Sequence, residues 1–432
     1  MEDRGETRPA AGTAHIWAAV TAWCLTRLWL VTAALKINPV TGRGTLDPSV
    51  AKVYQGWYEV LSTGAFPLDD VSWQYPPGAA APIMAPALLP GLDYGHAFVV
   101  LCAVCDAAVL VALARRGARR DRSMAGVWLW IVGLAVLSTL PWNRFDLLVT
   151  AVAIAALLVA AAQRPWADHA FGALTAAGAM IKVWPVLLLA ATTRGRRTRI
   201  AWSAAALAMA LLALGFALAM PNAFAFLTAQ RERGIQIESV GSMPFHIARH
   251  FGWSGTWAAK DGSHEFVGPY VELASRISQA LSVLALGWLL WWRNRSYRTA
   301  APWVLPDAAL TAVLLFVVTS RVISPQYLVW LVGLAAVCLL RRDTTQRPVA
   351  WLLLAACVFT TLEFPLLYRE LRDDADPLAI AVLYARNLLL LSAAAVSAVR
   401  LWRATVRHTV ADPMVTRKLT VPDRPLPAAR PR

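Results

Sequence analysis

The sequence predicts an all-α membrane protein, a polytopic helical bundle, on three observations. Of its 432 residues, 58% are hydrophobic and 16% charged, where soluble domains run to about 45–50% and about 25%. The apolar residues gather into roughly a dozen stretches, many near the ~20 residues that cross a bilayer as helix. The arginines stand at the ends of those stretches. Although the net charge is +15, that placement is the positive-inside pattern of a membrane protein and not a patch for nucleic acid.

Residues 1–15 form a polar N-terminal tail. The first apolar run, 16–37, is long and carries Arg27, unlike the short apolar core of a signal peptide. The arginine groups Arg115–Arg122, Arg194–Arg199, Arg293–Arg298, Arg341–Arg347 and the tail from Arg400 are assigned to the cytoplasm. Crossings between successive groups must then be even in number. Run 16–37 leads out to an external loop, 38–76, and 95–114 returns. Pro77–Pro90 is too short to cross and reads as a juxtamembrane or re-entrant helix begun at Pro76-Pro77. Runs 124–141 and 147–163 form a pair joined by the turn Trp142–Asp146. Run 170–193 must go out and back, so it reads as two short helices broken at Lys182-Val-Trp-Pro185, where proline removes a backbone donor. Run 201–219 leads to a second external loop, 220–271, and 272–292, 303–319, 326–340, 349–367 and 378–399 follow. Segment 16–400 is thus one transmembrane domain of about twelve crossings in the plasma membrane, with both termini cytoplasmic. Residues 401–432 are a basic tail, expected to be disordered. The five cysteines lie in apolar runs and read as free thiols.

This threading puts the unusual polar residues on one side: Asp47, Asp69 and Asp70; Asn143, Arg144 and Asp146; Lys182; Glu238, His246, Arg249, His250 and His264; Arg321 with Ser324-Pro-Gln-Tyr327; and Tyr368–Asp376. Ionised side chains at bilayer depth are costly and usually functional. The arrangement implies an externally open polar cavity.

Tyr54-Gln-Gly-Trp57-Tyr58, Gly64 and Asp69-Asp70-Val-Ser-Trp73-Gln74-Tyr75-Pro76-Pro77 resemble the first external loop of glycosyltransferase family 87. Asn143-Arg144-Phe-Asp146, Lys182-Val-Trp-Pro185, Glu238-Ser239 and Ser324-Pro325-Gln326-Tyr327 resemble later blocks of that family in the same order, and the resemblance runs from about Arg27 to Gly333. It implies an actinobacterial polyprenyl-phosphate-mannose-dependent mannosyltransferase of the GT-C fold. Such an enzyme transfers a hexose with inversion from a lipid phosphate to a hydroxyl of a glycolipid or polysaccharide, with an acid of the first external loop as base.

Inverting transfer needs a carboxylate to take the acceptor proton and cations to stabilise the departing phosphate. The family's usual base position, shortly before Tyr54, reads Ser49 and Val50 here. The candidates are therefore Asp47, then Asp70, then Asp69. Against them stand a turn role for Asp47 before Pro48 and a helix-dipole role for Asp70. Lys182, Arg144, Arg321 and Arg27 are the candidates for the donor phosphate, with pairing of Arg27 to Asp106 the structural alternative. Tyr54, Trp57, Trp73, Tyr75, Asp146, Glu238, His246 and Gln326 are the candidates for substrate contact. His246 and His250 lack a carboxylate spaced to complete a metal site, Asp374-Ala-Asp376 reads as a solvated loop, and no cofactor is expected.

The competing class is a secondary transporter or flippase of a lipid-linked sugar. Transporters often carry repeated halves with paired broken helices, whereas one broken segment and no repeat are visible here. The threading makes a direct prediction. In intact cells, cysteine probes at Thr63 or Gly255 should be labelled by an impermeant reagent and one at Arg197 spared; the reverse pattern would overturn the assignment of sides.

Overall fold

The computed structural model describes residues 12–34, 49–67, 73–162, 164–229, 234–260, 262–296 and 301–407. Helix α1 (Thr13–Ala34) opens the bundle. In the first loop a turn at Ser49–Tyr54 leads into α2 (Gln55–Leu61). Beyond Trp73 a string of short helical pieces begins at Pro77: Pro77–Ala79, α3 (Ala80–Met84) and Ala85–Leu88. Proline suits the first position because its missing N–H would have had no partner there. Then come α4 (Tyr94–Gly117), capped by the Asp93 carboxylate on the His96 amide, α5 (Ala125–Val136), α6 (Asp146–Ala160), α7 (Ala167–Ile181), α8 (Leu187–Ala190) and α9 (Arg196–Ala219).

The second loop holds α10 (Phe226–Ala229), β1 (Ile235–Gln236), α11 (Met243–Arg249), β2 (Thr256–Lys260) and β3 (Ser263–Val267). The strands form an antiparallel sheet in the order β1-β3-β2, with Ile235 opposite Phe266 and Trp257 opposite the same residue on the other side. The chain then returns to helix: α12 (Val271–Arg295), α13 (Val304–Thr319), α14 (Tyr327–Leu339), α15 (Arg347–Thr361) and α16 (Pro377–Trp402). Helix continues through the turn Arg403–Arg407, past the expected start of the tail at 401.

The protein is thus an all-α polytopic membrane protein with one small sheet outside the bundle. Among the described residues, six helices are long and apolar enough to cross a membrane. Shorter apolar helices of 12–16 residues, α5, α6, α13 and α14, fill the middle. The division follows from what each helix shows its surroundings. A helix apolar on all sides is stable only inside a bundle or in lipid. On α9, Leu207, Leu211, Leu214 and Leu218 are between 56% and 79% exposed, a stripe at helical spacing that hydrocarbon would cover. By contrast, every residue of α14 after Tyr327 is buried.

Where helices touch closely, small residues make room, as is usual in membranes. A Cβ at Gly172 of α7 would collide with the Ala201 carbonyl of α9, and one at Gly126 of α5 with the Ala336 carbonyl of α14. Buried polar side chains pin other contacts. The Arg27 guanidinium of α1 meets Asp106 of α4 at 2.8 Å and donates to the Ile131 carbonyl of α5 at 2.7 Å. The same carboxylate accepts from the indoles of Trp23 (2.9 Å) and Trp130 (2.5 Å). Arg27 is therefore a fully engaged crosslink between three helices. Of the two roles the sequence leaves open for Arg27, this geometry supports the structural pairing with Asp106, since its donors are directed at protein groups.

The break expected within 170–193 is present, one turn earlier than the residue before proline. Helix α7 stops at Ile181 and Lys182 is extended, with φ −150° and ψ 132°. A continuous helix would set the Pro185 ring against the Ile181 carbonyl with no N–H to bond it. Trp184–Val186 and α8 that follow total only a few residues, far fewer than the ~20 a crossing needs.

Gly172→Val should lower stability by about 1–3 kcal/mol, the usual cost of overpacking. Gly215→Ala on the open face of α9, where an added Cβ meets nothing within 4 Å, should stay within about 0.5 kcal/mol. Thermal unfolding in detergent compares the two, and equal effects would contradict the α7–α9 contact.

Candidate active site

The break in α7 delivers Lys182 to the N-terminus of α6. Its Nζ lies 2.7 Å from Asp146 Oδ1, and the pair is buried. Asp146 is the first residue of α6, where a carboxylate also gains from the helix dipole. The Trp330 indole of α14 donates to the same oxygen at 2.7 Å. The ammonium is walled by ring faces, with Phe145 and Trp330 centroids at 5.1 Å, Tyr75 at 5.2 Å and Tyr327 at 5.7 Å. Cation–π attraction reaches about 2 kcal/mol for a desolvated cation. An ammonium carries three donors. One is taken by Asp146, and no other hydrogen bond from Lys182 reaches a described residue.

The aromatic wall continues into the first loop. Tyr75 packs edge-on against Phe145 at 5.0 Å, Trp57 against Tyr75 at 5.8 Å and against Trp73 at 5.1 Å, and Tyr54 stacks on Trp57 at 5.4 Å. On the other side Trp184 stacks on Trp330 at 5.1 Å. The structure thus brings together Tyr54 and Trp57, Trp73 and Tyr75, Arg144–Asp146, Lys182–Trp184 and Gln326–Tyr327, the separate blocks singled out in the sequence. Tyr54, Trp57 and Trp73 are buried against one another, so these rings frame the wall, while Tyr75 is half-buried. Gln326 is half-buried at the N-cap of α14. Asp47, Asp69 and Asp70 lie outside the described residues.

A second buried polar cluster sits beneath the sheet. Arg386 of α16 lies 2.8 Å from Glu363 and 3.9 Å from Glu238 Oε1, and also donates to the Glu238 carbonyl. Gln236 donates to Glu238 Oε2 at 2.6 Å. Burial, with Glu363 adding to it and Arg386 opposing, holds the Glu238 carboxyl well above the usual carboxylate range. His246 is buried with Nε2 2.7 Å from the Ile237 carbonyl, and burial pulls it down to about 4, so it is neutral at pH 7. That contact makes His246 a brace of the 235–238 segment. Arg321 serves the same region: its carbonyl accepts the Gln236 amide at 3.0 Å and its guanidinium reaches Ser275 at 3.4 Å. Arg144, half-buried, donates to the Asn143 carbonyl at 2.6 Å, and its charge acts on both the Tyr54 hydroxyl and Glu238.

Trp330, Phe145, Glu363 and Arg386 were missed by sequence reasoning. For Glu363 and Arg386 a signal existed: each is an ionisable residue inside an apolar run, where charge is rare without a purpose. Phe145 and Trp330 carry no such mark, since one more aromatic residue in an apolar helix is usual.

A bundle of apolar helices with a buried cation and carboxylates gathered at one end makes that end the candidate site of a multi-pass membrane protein. The family model of glycosyltransferase family 87 matches residues 73–325, a span that holds Tyr75, Arg144–Asp146, Lys182 and Glu238. The chain belongs to that family and is a membrane glycosyltransferase, with a sugar donor and an acceptor as its substrates. No curated protein and no solved structure matches it.

Removing one partner of a buried ion pair costs about 3–5 kcal/mol, because the other charge stays buried alone. Asp146→Ala should destabilise the protein by that amount in thermal unfolding, and adding Lys182→Met should restore much of the loss. Additive losses in the double variant would show that the two residues do not form a coupled pair.

Proposed function

We propose that this enzyme is an inverting hexosyltransferase, by resemblance a mannosyltransferase, that takes its sugar from a polyprenyl phosphate. The acceptor is a hydroxyl of a glycolipid or polysaccharide on the external face of the plasma membrane. The observation that carries this reading is the buried Lys182 ammonium. Among the described residues it has a single carboxylate partner and donors to spare, and aromatic rings wall it in, so an anionic oxygen brought there gains charge-assisted hydrogen bonds in a low dielectric. An aromatic wall also suits a hexose ring and the first isoprene units of a lipid.

In the reaction, the acceptor oxygen bonds to the anomeric carbon on the face opposite the phosphate as the bond from that carbon to the phosphate oxygen breaks. The electron pair leaves with the lipid phosphate, whose added charge Lys182 stabilises with Arg144 and Arg321. The acceptor proton passes to a first-loop carboxylate, Asp47 before Asp70 and Asp69. Asp70 stands three residues before Trp73, whose ring belongs to the wall. Asp146 is less suited to the role, since it is the counter-ion of Lys182 and accepts from Trp330 as well.

Membranes containing the enzyme should move labelled hexose from polyprenyl phosphate to an acceptor with a chelator present, and should not use a nucleotide sugar. Asp→Asn at the true base should cost about 10²–10⁴ in turnover with donor binding kept. Lys182→Ala should weaken donor binding as well, because the phosphate is already charged in the ground state. Near-normal turnover in all three Asn variants would refute a first-loop base and move the role to Glu238.

A further inference from the structure

At the opposite end of α6, α7 and α14 from Lys182, the helices surround a cavity of about 430 Å³. Its walls carry Arg116, Arg122, Arg197 and Arg341 against one carboxylate, Asp168. These arginines come from four separate places: the last turn of α4, the link to α5, the first turn of α9 and the link after α14. Positive-inside topology asks for basic residues near a membrane surface. It does not ask four segments to turn them into one recess.

The hydrogen bonds already made by these side chains leave cationic capacity over. Arg197 pairs with Asp168 at 2.9 Å, Arg341 with Asp343 at 2.7 Å, and Arg116 donates to the Leu158 carbonyl at 3.0 Å. The half-buried Arg122 guanidinium makes no hydrogen bond to a described residue. It is also crowded by like charge: burial, then Arg341, with Arg116 and Arg119 adding, hold it below the ordinary arginine range against a partial offset from Asp343. Arg122 and Arg341 are tied by a backbone bridge, so they cannot drift apart. Guanidinium groups with spare donors and unrelieved repulsion fit a phosphate, which accepts their planar forks. Deeper in, the wall turns apolar at Leu157, Phe171, Leu305 and Val337. A free phosphate gains nothing from that part, whereas the first methylenes of a lipid chain do.

We propose that this recess binds the phosphate headgroup of an anionic membrane lipid, with Arg122 as its main ligand and Arg116, Arg197 and Arg341 framing it. Basic pockets between transmembrane helices bind such headgroups in general. The site is separate from the candidate active site and does not depend on what that site transfers.

The test uses the full-length protein in detergent, followed by native mass spectrometry and thermal unfolding. The probes are phosphatidylglycerol, phosphatidylcholine and inorganic phosphate. The wild-type protein should retain phosphatidylglycerol and be stabilised by it, with phosphatidylcholine giving neither effect. Arg122→Gln should bind phosphatidylglycerol roughly tenfold more weakly, the loss of one strong charged hydrogen bond, and Arg122→Lys should recover part of it. Should Arg122→Gln fail to fold, the wild-type protein still decides. Its preference for phosphatidylglycerol should shrink at about 0.5 M salt, where exposed charges are screened within a few ångströms. Equal retention of the two lipids, or equal binding by wild type and Arg122→Gln, would overturn the site. Stabilisation by inorganic phosphate that matches the lipid would overturn the lipid as its ligand.

Discussion

The buried pair between Lys182 and Asp146 ties the break after α7 to the other parts of the chain that meet there. It fixes the break after α7 against the start of α6, and Trp330 adds α14 through the same carboxylate oxygen. Tyr75 then brings the first loop over the ammonium. Taking each ion out of water costs several kcal/mol, which the attraction between them offsets only when the geometry is good. The aromatic faces and the indole N–H supply that geometry. A break in a membrane helix is tolerated where the freed backbone is covered by protein, and here the covering and the charge pairing are one construction.

Buried ions recur through the bundle, and the way each is satisfied separates framework from chemistry. Asp106 accepts from Arg27, Trp23 and Trp130, and the Arg27 guanidinium is spent on that carboxylate and on backbone carbonyls. Such a closed network rigidifies three helices and offers nothing to a ligand. Lys182 keeps donors that no described residue takes, and around Arg386 one oxygen each of Glu238 and Glu363 has no hydrogen-bond partner among the described residues. At this end of the bundle, those two clusters hold polar groups that the described residues answer only in part. Closed networks carry stability, and the incompletely satisfied ones carry the capacity to bind.

Much of the fold was legible in the sequence, because a bilayer makes legible demands. With no water in the hydrocarbon, backbone groups must bond within a helix, so runs of apolar residues translate directly into helices. The runs 95–114 and 378–399 correspond to Tyr94–Gly117 and Pro377–Trp402, and Pro185 marked the broken segment within a few residues. The small sheet at 235–267 left no comparable trace. Its strands are short and partly exposed, and their polar neighbours read as loop.

The sequence by itself determined the class of protein, the helix order and the side of the bundle on which Lys182, Asp146 and Glu238 gather. Those follow from local rules: apolar length, charge at helix ends and proline chemistry. Only the tertiary structure decided partners. Arg27 and Lys182 look alike in sequence, each a lone cation in an apolar run, yet one spreads its donors over Asp106, Thr26 and two backbone carbonyls, while the other donates to Asp146 alone among the described residues. Arg386 lies on α16 and Glu363 just past the end of α15, and their ion pair exists only once those helices are packed. What a buried charge does depends on the groups within a few ångströms of it, and in this bundle those groups come from distant parts of the chain.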